Sequence, residues 1–234
     1  MIRPNLIGFT GNVERTKRAW DELKRVGFKN IDLWWAFPNP FDKVLLKSMP
    51  HTKMFDKNIG FFNCSRMHYR IIKTAYELGR ERVMVCEDDV RFRKDIDFTD
   101  DKQAKAILEY DADVILLDGI PPKKGLLTPL KDRGDGFSDF ESMRSCACYI
   151  LSRKAMERIV WLYESAINLS VVGRRARICD QWFEKKLLKG LNLVMATPNV
   201  AVQQTTTGEH NSGNAWRLAG YKTLGIDLNN YWEY

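Results

Sequence analysis

The sequence contains no apolar run long enough to cross a bilayer, and its start, Met-Ile-Arg-Pro-Asn, lacks the pattern of a signal peptide. Internal repeats, low-complexity segments and linkers of the type that separates domains are also absent. The 234 residues are 44% hydrophobic and 29% charged, as in ordinary globular proteins. We therefore expect a single cytoplasmic domain, spanning residues 1–234, that buries a sizeable core.

The sequence also lacks a disulfide framework and the paired cysteines of a zinc finger. Its five cysteines are odd in number and lie mostly inside apolar segments, which is typical of reduced, buried thiols. They are Cys64, Cys86, Cys146, Cys148 and Cys179. Cys146-x-Cys148 has no second pair at zinc spacing, so the pattern does not predict a metal site there.

Motifs of nucleic-acid-binding proteins are missing as well, including the aromatic and basic sheet signature of RNA-binding domains. The net charge of +7 nevertheless favours an anionic partner. Phosphorylated sugars, anionic lipid surfaces and nucleic acid all fit this charge, and the missing motifs place nucleic acid last. A lipid partner would place the protein at the inner face of a membrane.

Strand and helix patterns alternate along the chain, which predicts an α/β fold. The first strand, helix and second strand predict a parallel βαβ unit. Residues 38–60 and 120–140 are predicted loops, the first of them a lid or binding loop, and we expect residues 197–234 to drape over the sheet. The predicted strands are 5–9, 31–37, 113–117, 146–151, 191–196 and one beginning at 83, and the predicted helices are 14–26, 63–78, 102–110, 153–166 and 180–189.

Three carboxylates, Glu87, Asp88 and Asp89, directly follow the apolar run that begins at Val83. Charges are rarely buried without partners, so we expect cations near them. Because side chains alternate along a strand, Glu87 and Asp89 should share one face and Asp88 the other. Ligands of open α/β sheets bind at the carboxyl ends of the strands, where oxygen ligands suit Mg²⁺ or Mn²⁺. A solvated acidic turn is the simpler interpretation.

The order of the motifs resembles glycosyltransferase family 25, the lipopolysaccharide and collagen-sugar transferase group. The resemblance begins with Gly60-Phe-Phe-Asn-Cys-Ser65-Arg-Met-His68, a helix, and Val83-Met-Val-Cys-Glu87-Asp88-Asp89-Val90. Residues 145–155, Cys179-Asp180 and the segment 198–203 resemble the later strand–turn–helix, aspartate element and Pro-x-x-x-x-Gln end of the family. The similarity covers about residues 5–212. One departure is that the Ser-His pair of the family is here Ser65-Arg66-Met67-His68.

The resemblance implies the single Rossmann-like, A-type glycosyltransferase fold, with a mostly parallel central sheet flanked by helices. It also implies a nucleoside-diphosphate sugar donor and a divalent cation, Mn²⁺ or Mg²⁺. The reaction would be an inverting transfer to a hydroxyl of a glycan or lipid-linked acceptor. Its setting would be cell-envelope or surface glycan synthesis, such as that of lipopolysaccharide.

On this resemblance, Asp89 and Glu87 are the expected metal ligands, and Asp88 would assist in binding the metal or the donor. His210, in a polar loop, could complete the metal shell, although surface loops often carry a histidine without such a role. A cation at this position would bridge the diphosphate and act as a Lewis acid.

Donor binding draws on two further groups of residues. Arg66 and Arg70, on the helix before the acidic strand, could neutralise the donor phosphates, or could be a solvated helix face. Thr10 and Asn12 follow the first strand, where such folds seat the nucleotide base.

An inverting transfer needs a base that takes the proton of the attacking hydroxyl. Asp180 is the candidate, and it also suits the N-cap of the helix predicted after it. Asp118, at the end of another strand, could line the same crevice. Two alternatives remain open: a non-catalytic nucleotide-sugar-binding relative and an Mg²⁺-dependent phosphate-ester enzyme.

Overall fold

The computed structural model describes residues 2–9, 12–37, 59–120, 131–144, 146–170, 179, 182–204 and 211–231. Its strands are β1 (Pro4–Phe9), β2 (Asp32–Ala36), β3 (Arg82–Glu87), β4 (Val90–Phe92), β5 (Val114–Leu116), β6 (Lys131–Asp132), β7 (Phe137–Asp139), β8 (Cys148–Ser152), β9 (Leu193–Ala196) and β10 (Ala201–Gln203). Its α-helices are α1 (Val13–Arg25), α2 (Ile59–Glu77), α3 (Lys102–Glu109), α4 (Arg153–Ser170) and α5 (Asn211–Thr223), and Leu228–Asn230 form a 3₁₀ turn. Within these ranges no helix is long and apolar enough to span a membrane.

Eight strands form one mixed sheet in the order β2-β1-β3-β8-β5-β9-β7-β6. Strands β1, β2, β3, β5 and β9 run parallel, and β7 and β8 run against their neighbours. β4 and β10 form a separate antiparallel pair. The predicted α/β class, the mostly parallel sheet and the first parallel βαβ unit are therefore confirmed.

Helices cover both faces of the sheet. The alternation along β3 shows the division, because Val83 and Val85 pack in the cluster that contains α2 and α4, whereas Met84 and Cys86 pack with α1 and α3. β1 pairs with β2 on one side and with β3 on the other. The order in which strands are added to the sheet therefore reverses at β1, although all three strands run parallel. The carboxyl ends of β1 and β3 thus form a topological switch point, the place where ligands bind in such sheets.

Helix α1 lies close against β1. Thr16, Ala19 and Leu23 are its buried residues, at the spacing of one helical face. A Cβ at Gly8 of β1 would lie 2.8 Å from Cγ2 of Thr16, so glycine permits this approach. The helix ends as predicted, at a glycine with positive φ (Gly27, φ 99°). The first turn of α1 is thereby held beside the carboxyl end of β3.

One prediction about the second half of the chain is wrong. No helix forms over the described part of 180–189, because Met143 and Lys185 make backbone hydrogen bonds that pair residues 141–143 with 183–185. The tail, for which no strand or helix is predicted, contributes β10 and α5. The helical pattern of α5 is weak because Gly213 and Gly220 interrupt it.

The sheet is also wider than predicted. Strands β6 and β7 form an antiparallel hairpin inside the predicted loop 120–140 and extend the sheet beyond β9. They are two and three residues long and largely polar, so they carry too little hydrophobic alternation to be recognised. The predicted loop at 38–60 lies outside the described residues up to 58, and α2 begins at Ile59.

Candidate active site

The three consecutive carboxylates occupy the predicted place at the end of β3. Glu87 is the last residue of the strand, and Asp88 and Asp89 form the turn that leads to β4. The exposed fractions of the three residues are only 7%, 0% and 5%. The interpretation as a solvated acidic turn is therefore wrong, and each charge needs a partner.

Asp88 points toward α1. Its carboxylate pairs with the guanidinium of Arg15 and accepts hydrogen bonds from Oγ1 of Thr16 and the backbone N–H of Phe9, both at 3.3 Å. Complete burial raises the pKa of Asp88 even though Arg15 opposes that change. Asp88 thus ties β1, α1 and the acidic turn together.

Glu87 points the other way, toward α2. Its Oε1 lies 3.0 Å from Nε2 of His68, 3.3 Å from Sγ of Cys64 and 3.0 Å from Sγ of Cys146. Burial alone would raise the pKa of Glu87, but the hydrogen bond and the charge of His68 outweigh it and lower this pKa to about 2. Glu87 is therefore an ionised carboxylate inside the protein.

Asp89 is the least satisfied of the three acids. Its Oδ2 accepts a 2.7 Å hydrogen bond from Nε2 of Gln203 and lies 3.9 Å from Nη1 of Arg15. Its Oδ1 is buried and has no hydrogen-bond partner among the described residues. Burial, followed by the negative charge of Glu87, raises the pKa of Asp89 to about 7. A buried oxygen without a donor, beside other carboxylates, fits a hard divalent cation.

Gln203 connects Glu87 and Asp89. Its Nε2 is 3.4 Å from Oε2 of Glu87 in addition to its bond to Asp89, so these two acids share a partner that Asp88 does not contact. The predicted division of the three carboxylates between two faces is consistent with these contacts.

The backbone N–H of Gln203 bonds to the hydroxyl of Tyr221 at 2.8 Å, and that hydroxyl donates to Oδ1 of Asp118 at 2.9 Å. Asp118 is therefore linked to the acidic turn through α5.

The remaining predicted site residues are only partly brought together. Asn12 precedes α1, and its N–H bonds to the carbonyl of Phe9 at the end of β1. On α2, Arg66 is half-buried and Arg70 is exposed. The other predicted site residues, Thr10, Asp180 and His210, lie outside the described residues.

Three site residues were not selected from the sequence. Arg15 lies in the first turn of α1, and the helical pattern does not distinguish it from the other cations of that helix. The sequence predicts no role for His68, because His68 is displaced from the Ser-His position of glycosyltransferase family 25. Gln203 ends the Pro-x-x-x-x-Gln segment, but the sequence gives no partner for it. Only the position of α1 directly after β1 could have indicated Arg15.

A cavity of about 820 Å³ lies at the other end of the sheet. Arg3, Asp32 and Arg82 line it at the amino ends of the strands, and none of the three acids borders it. Its volume would suit a small ligand, but its position does not match the carboxyl-end crevice of α/β sheets. The acidic turn therefore defines the candidate active site.

Comparison of the chain with known proteins establishes its fold but does not assign it to a family. No family model matches the chain, and no curated protein matches it. The chain is similar to UDP-glucose pyrophosphorylase complexed with UDP-glucose, with a TM-score of 0.51, 10% identity and coverage of 95% of this chain and 100% of that one. It also matches the galactosyltransferase LgtC (TM-score 0.42, 12% identity, 95% of each chain). A third match is GlyE of Streptococcus pneumoniae TIGR4 (TM-score 0.47, 10% identity, 98% of this chain and 62% of that one). The architecture is therefore the A-type fold of nucleotidyltransferases and glycosyltransferases.

Proposed function

We propose that this protein is a metal-dependent glycosyltransferase that moves a sugar from a nucleoside-diphosphate sugar to a hydroxyl acceptor, with inversion. The observation that carries the proposal is Oδ1 of Asp89, a buried carboxylate oxygen at the switch point of the sheet to which none of the described residues donates a hydrogen bond. Three adjacent acids at that place suit a ligand that brings positive charge with it. The fold, shared with a structure complexed with UDP-glucose, supports a nucleotide-sugar donor.

Asp89 would hold Mn²⁺ or Mg²⁺, together with Glu87 and with His210 as a further ligand. Oxygen ligands are those that both ions prefer, and Gln203 already holds the two carboxylates near each other. When bound, the cation supplies positive charge to the diphosphate leaving group. Gln203 keeps Oδ2 of Asp89 occupied and so leaves Oδ1 to point at the ligand.

The residues around β1 would bind the donor. Asp88 and Arg15 fix the first turn of α1 against the strand ends, and Thr10 and Asn12 would contact the base. Arg66 and Arg70 remain candidates for the phosphates because arginine makes bidentate contacts with them. In this arrangement Asp88 acts by holding β1 and α1 together beside the donor.

Asp180 is the proposed base. The C–O bond between sugar and diphosphate breaks, the acceptor oxygen bonds to the anomeric carbon, and the hydroxyl proton passes to this carboxylate. Its chain neighbour Cys179 supports the assignment, because the N–H of Cys179 bonds to Oγ of Ser65 at 3.0 Å on the helix that also carries His68.

The resemblance to glycosyltransferase family 25 supports a finer assignment. We include in the proposal a single domain over residues 1–234 and a role in cell-envelope or surface glycan synthesis, with a glycan or lipid-linked acceptor. The net charge of +7 supports peripheral contact with an anionic membrane surface on the cytoplasmic side.

The test is release of nucleoside diphosphate from a panel of nucleotide sugars, with Mn²⁺, with Mg²⁺ and with a chelator. We expect release with one donor, dependent on the cation and accelerated by a hydroxyl acceptor. Asp89→Asn should lower the rate by about 100-fold or more, because it removes one charge from the cation site.

Asp100→Asn is the matched control, since Asp100 is an exposed residue outside the acidic turn. The proposal fails if Asp89→Asn transfers sugar at the wild-type rate. It also fails if the protein releases pyrophosphate from a nucleoside triphosphate and a sugar 1-phosphate instead, which would indicate a nucleotidyltransferase.

A further inference from the structure

Five side chains with nitrogen, oxygen or sulfur atoms converge behind the acidic turn, on the α2 side of β3. We refer to Cys64, His68, Glu87, Cys146 and Cys179 as the thiol cluster. Four of them, without Cys146, have ligand atoms that all lie within 4.8 Å of one another. Cys146 adjoins this set, with Sγ 3.2 Å from Sγ of Cys179 and 3.0 Å from Oε1 of Glu87.

The fold builds this cluster from separate segments. Cys64 and His68 are four residues apart on α2, so they share one face of the helix. Cys179 is held beside them because its N–H bonds to the buried Ser65. Glu87 ends β3, and Cys146 precedes β8. The five side chains are therefore held by four separate backbone segments, which gives the fixed arrangement that a preformed site requires.

Hydrogen bonding alone explains the cluster poorly. Oε1 of Glu87 has three close neighbours that could donate to it, yet one carboxylate oxygen offers about two lone-pair sites. Thiols are also weak donors and rarely gather around one carboxylate to satisfy it. The grouping of sulfur, imidazole and carboxylate is instead the ligand set of zinc.

The spacing of the atoms agrees with this. Zn–S and Zn–N bonds of about 2.3 and about 2.0 Å place the ligand atoms of a tetrahedral site about 3.3 to 3.8 Å apart. Sγ of Cys64 is 3.3 Å from Oε1 of Glu87 and 3.9 Å from Sγ of Cys179, and Nε2 of His68 is 3.0 Å from Oε1. Since all four ligand atoms lie within 4.8 Å of one another, an ion among them would require the longest separations to shorten by up to about 1 Å.

The other nitrogen of His68 supplies a second, independent observation. Nδ1 lies 2.7 Å from the hydroxyl of Tyr149, and both side chains are buried. A metal-binding histidine usually donates its second N–H to an oxygen, which fixes the tautomer that leaves the first nitrogen free to bind. Tyr149 can accept that proton, so Nε2 is directed at the cluster.

We propose that Cys64, His68, Glu87 and Cys179 bind one Zn²⁺ ion, with Cys146 hydrogen-bonded at its edge. The thiolates select a soft metal, whereas the proposed site at Asp89 consists of oxygen ligands. Glu87 would serve both sites, with Oε1 in the thiol cluster and Oε2 on the side of Gln203 and Asp89. The ion ties α2, β3 and the Cys179 segment together and fixes Glu87, so its role is structural. Cys64 is the half-buried member of the four, and the other three are buried. The inference stands whether or not the protein transfers sugar.

The test is metal content, measured by mass spectrometry on full-length protein produced with zinc and a phosphine reductant. We expect about one zinc per chain, and at least about a tenfold loss of zinc in Cys64→Ala and Cys179→Ala. Cys148→Ala is the matched control. Its thiol is also buried, but it pairs with Cys86 on the opposite face of β3 and β8. This variant should keep its zinc.

Co²⁺ titration of the metal-free wild-type chain makes the test independent of how the variants fold. We expect thiolate-to-cobalt charge-transfer absorption that Zn²⁺ abolishes, and a rise in melting temperature of at least about 5 °C with excess Zn²⁺. The proposal is overturned if the purified protein contains no zinc and the metal-free chain shows no charge-transfer absorption with Co²⁺. A Cys146–Cys179 disulfide found in place of the metal overturns it as well.

Discussion

Arg15 pairs with Asp88 across the boundary between α1 and the acidic turn. Asp88 is fully buried, whereas about a fifth of the Arg15 side chain is exposed (22%), so the guanidinium screens a charge that water cannot reach. The same arginine lies 3.9 Å from Asp89, so it contacts two of the three acids. Replacing Arg15 should therefore show how much the stability of the acidic turn depends on this positive charge.

Arg15→Met should lower the free energy of unfolding by about 3 kcal/mol, because it leaves the buried charge of Asp88 without its ionic partner. Urea unfolding measures this loss. The double variant Arg15→Met with Asp88→Asn should recover most of it, since the unpaired charge is then absent.

Arg3→Met is the control for that experiment. Arg3 also pairs with an aspartate, Asp32, but the two side chains are 57% and 40% exposed. Its removal should cost less than about 1 kcal/mol. Equal losses for Arg3→Met and Arg15→Met would show that burial of Asp88 does not set the strength of the pair.

Asp89→Asn should not lower the stability of the metal-free protein, although it should stop transfer. The amide keeps an oxygen that can accept from Gln203 and removes the repulsion between Asp89 and Glu87. We expect an equal or higher melting temperature in the presence of a chelator. A marked decrease would mean that the charge of Asp89 stabilises the fold, against the interpretation of this residue as a cation ligand.

The sequence was sufficient for the parts of the site that lie along one segment. The apolar run of β3 followed by three acids gives their place, and the period of a strand gives the opposite directions of Glu87 and Asp88. The helical pattern likewise places Cys64 and His68 on one face of α2. These features depend on local backbone geometry and on burial, both of which leave a pattern in the sequence.

Contacts between segments leave no such pattern. Cys179 meets Cys64 because its N–H bonds to Ser65, and no spacing in the sequence relates the two thiols. Gln203 reaches Asp89 because β10 pairs with β4, and the short strand β4 was not separated from β3 in the sequence. Such pairings are set by the tertiary packing of helices and strands, which overrides local propensity.

Gln203→Glu should destabilise the metal-free protein by about 2 kcal/mol, because it adds a carboxylate beside Glu87 and Asp89. Excess Mn²⁺ should recover more stability in this variant than in the wild type, since the cation relieves a larger repulsion. Thermal unfolding with a chelator and with Mn²⁺ measures both effects.

Gln204→Glu is the matched control for the same change in charge. Among the described residues, the side chain of Gln204 makes no hydrogen bond to the acids. Its backbone N–H bonds to the backbone carbonyl of Asp89. We expect a smaller loss than for Gln203→Glu and an Mn²⁺ response like that of the wild type. If Mn²⁺ stabilised neither protein, the cation site at Asp89 would be refuted.

Tyr221→Phe tests the link between α5 and the acidic turn. The hydroxyl of Tyr221 accepts from the N–H of Gln203 and donates to the buried Asp118, so its removal leaves both groups short of a partner. We expect a loss of about 2 kcal/mol in the free energy of unfolding. Tyr110→Phe should lose less than about 1 kcal/mol, because the bond from Tyr110 to Asp135 lies at the exposed surface.

If α5 positions Gln203, transfer by Tyr221→Phe should also require more Mn²⁺ for half-maximal rate. An unchanged Mn²⁺ requirement, together with the expected loss of stability, would limit Tyr221 to a structural role.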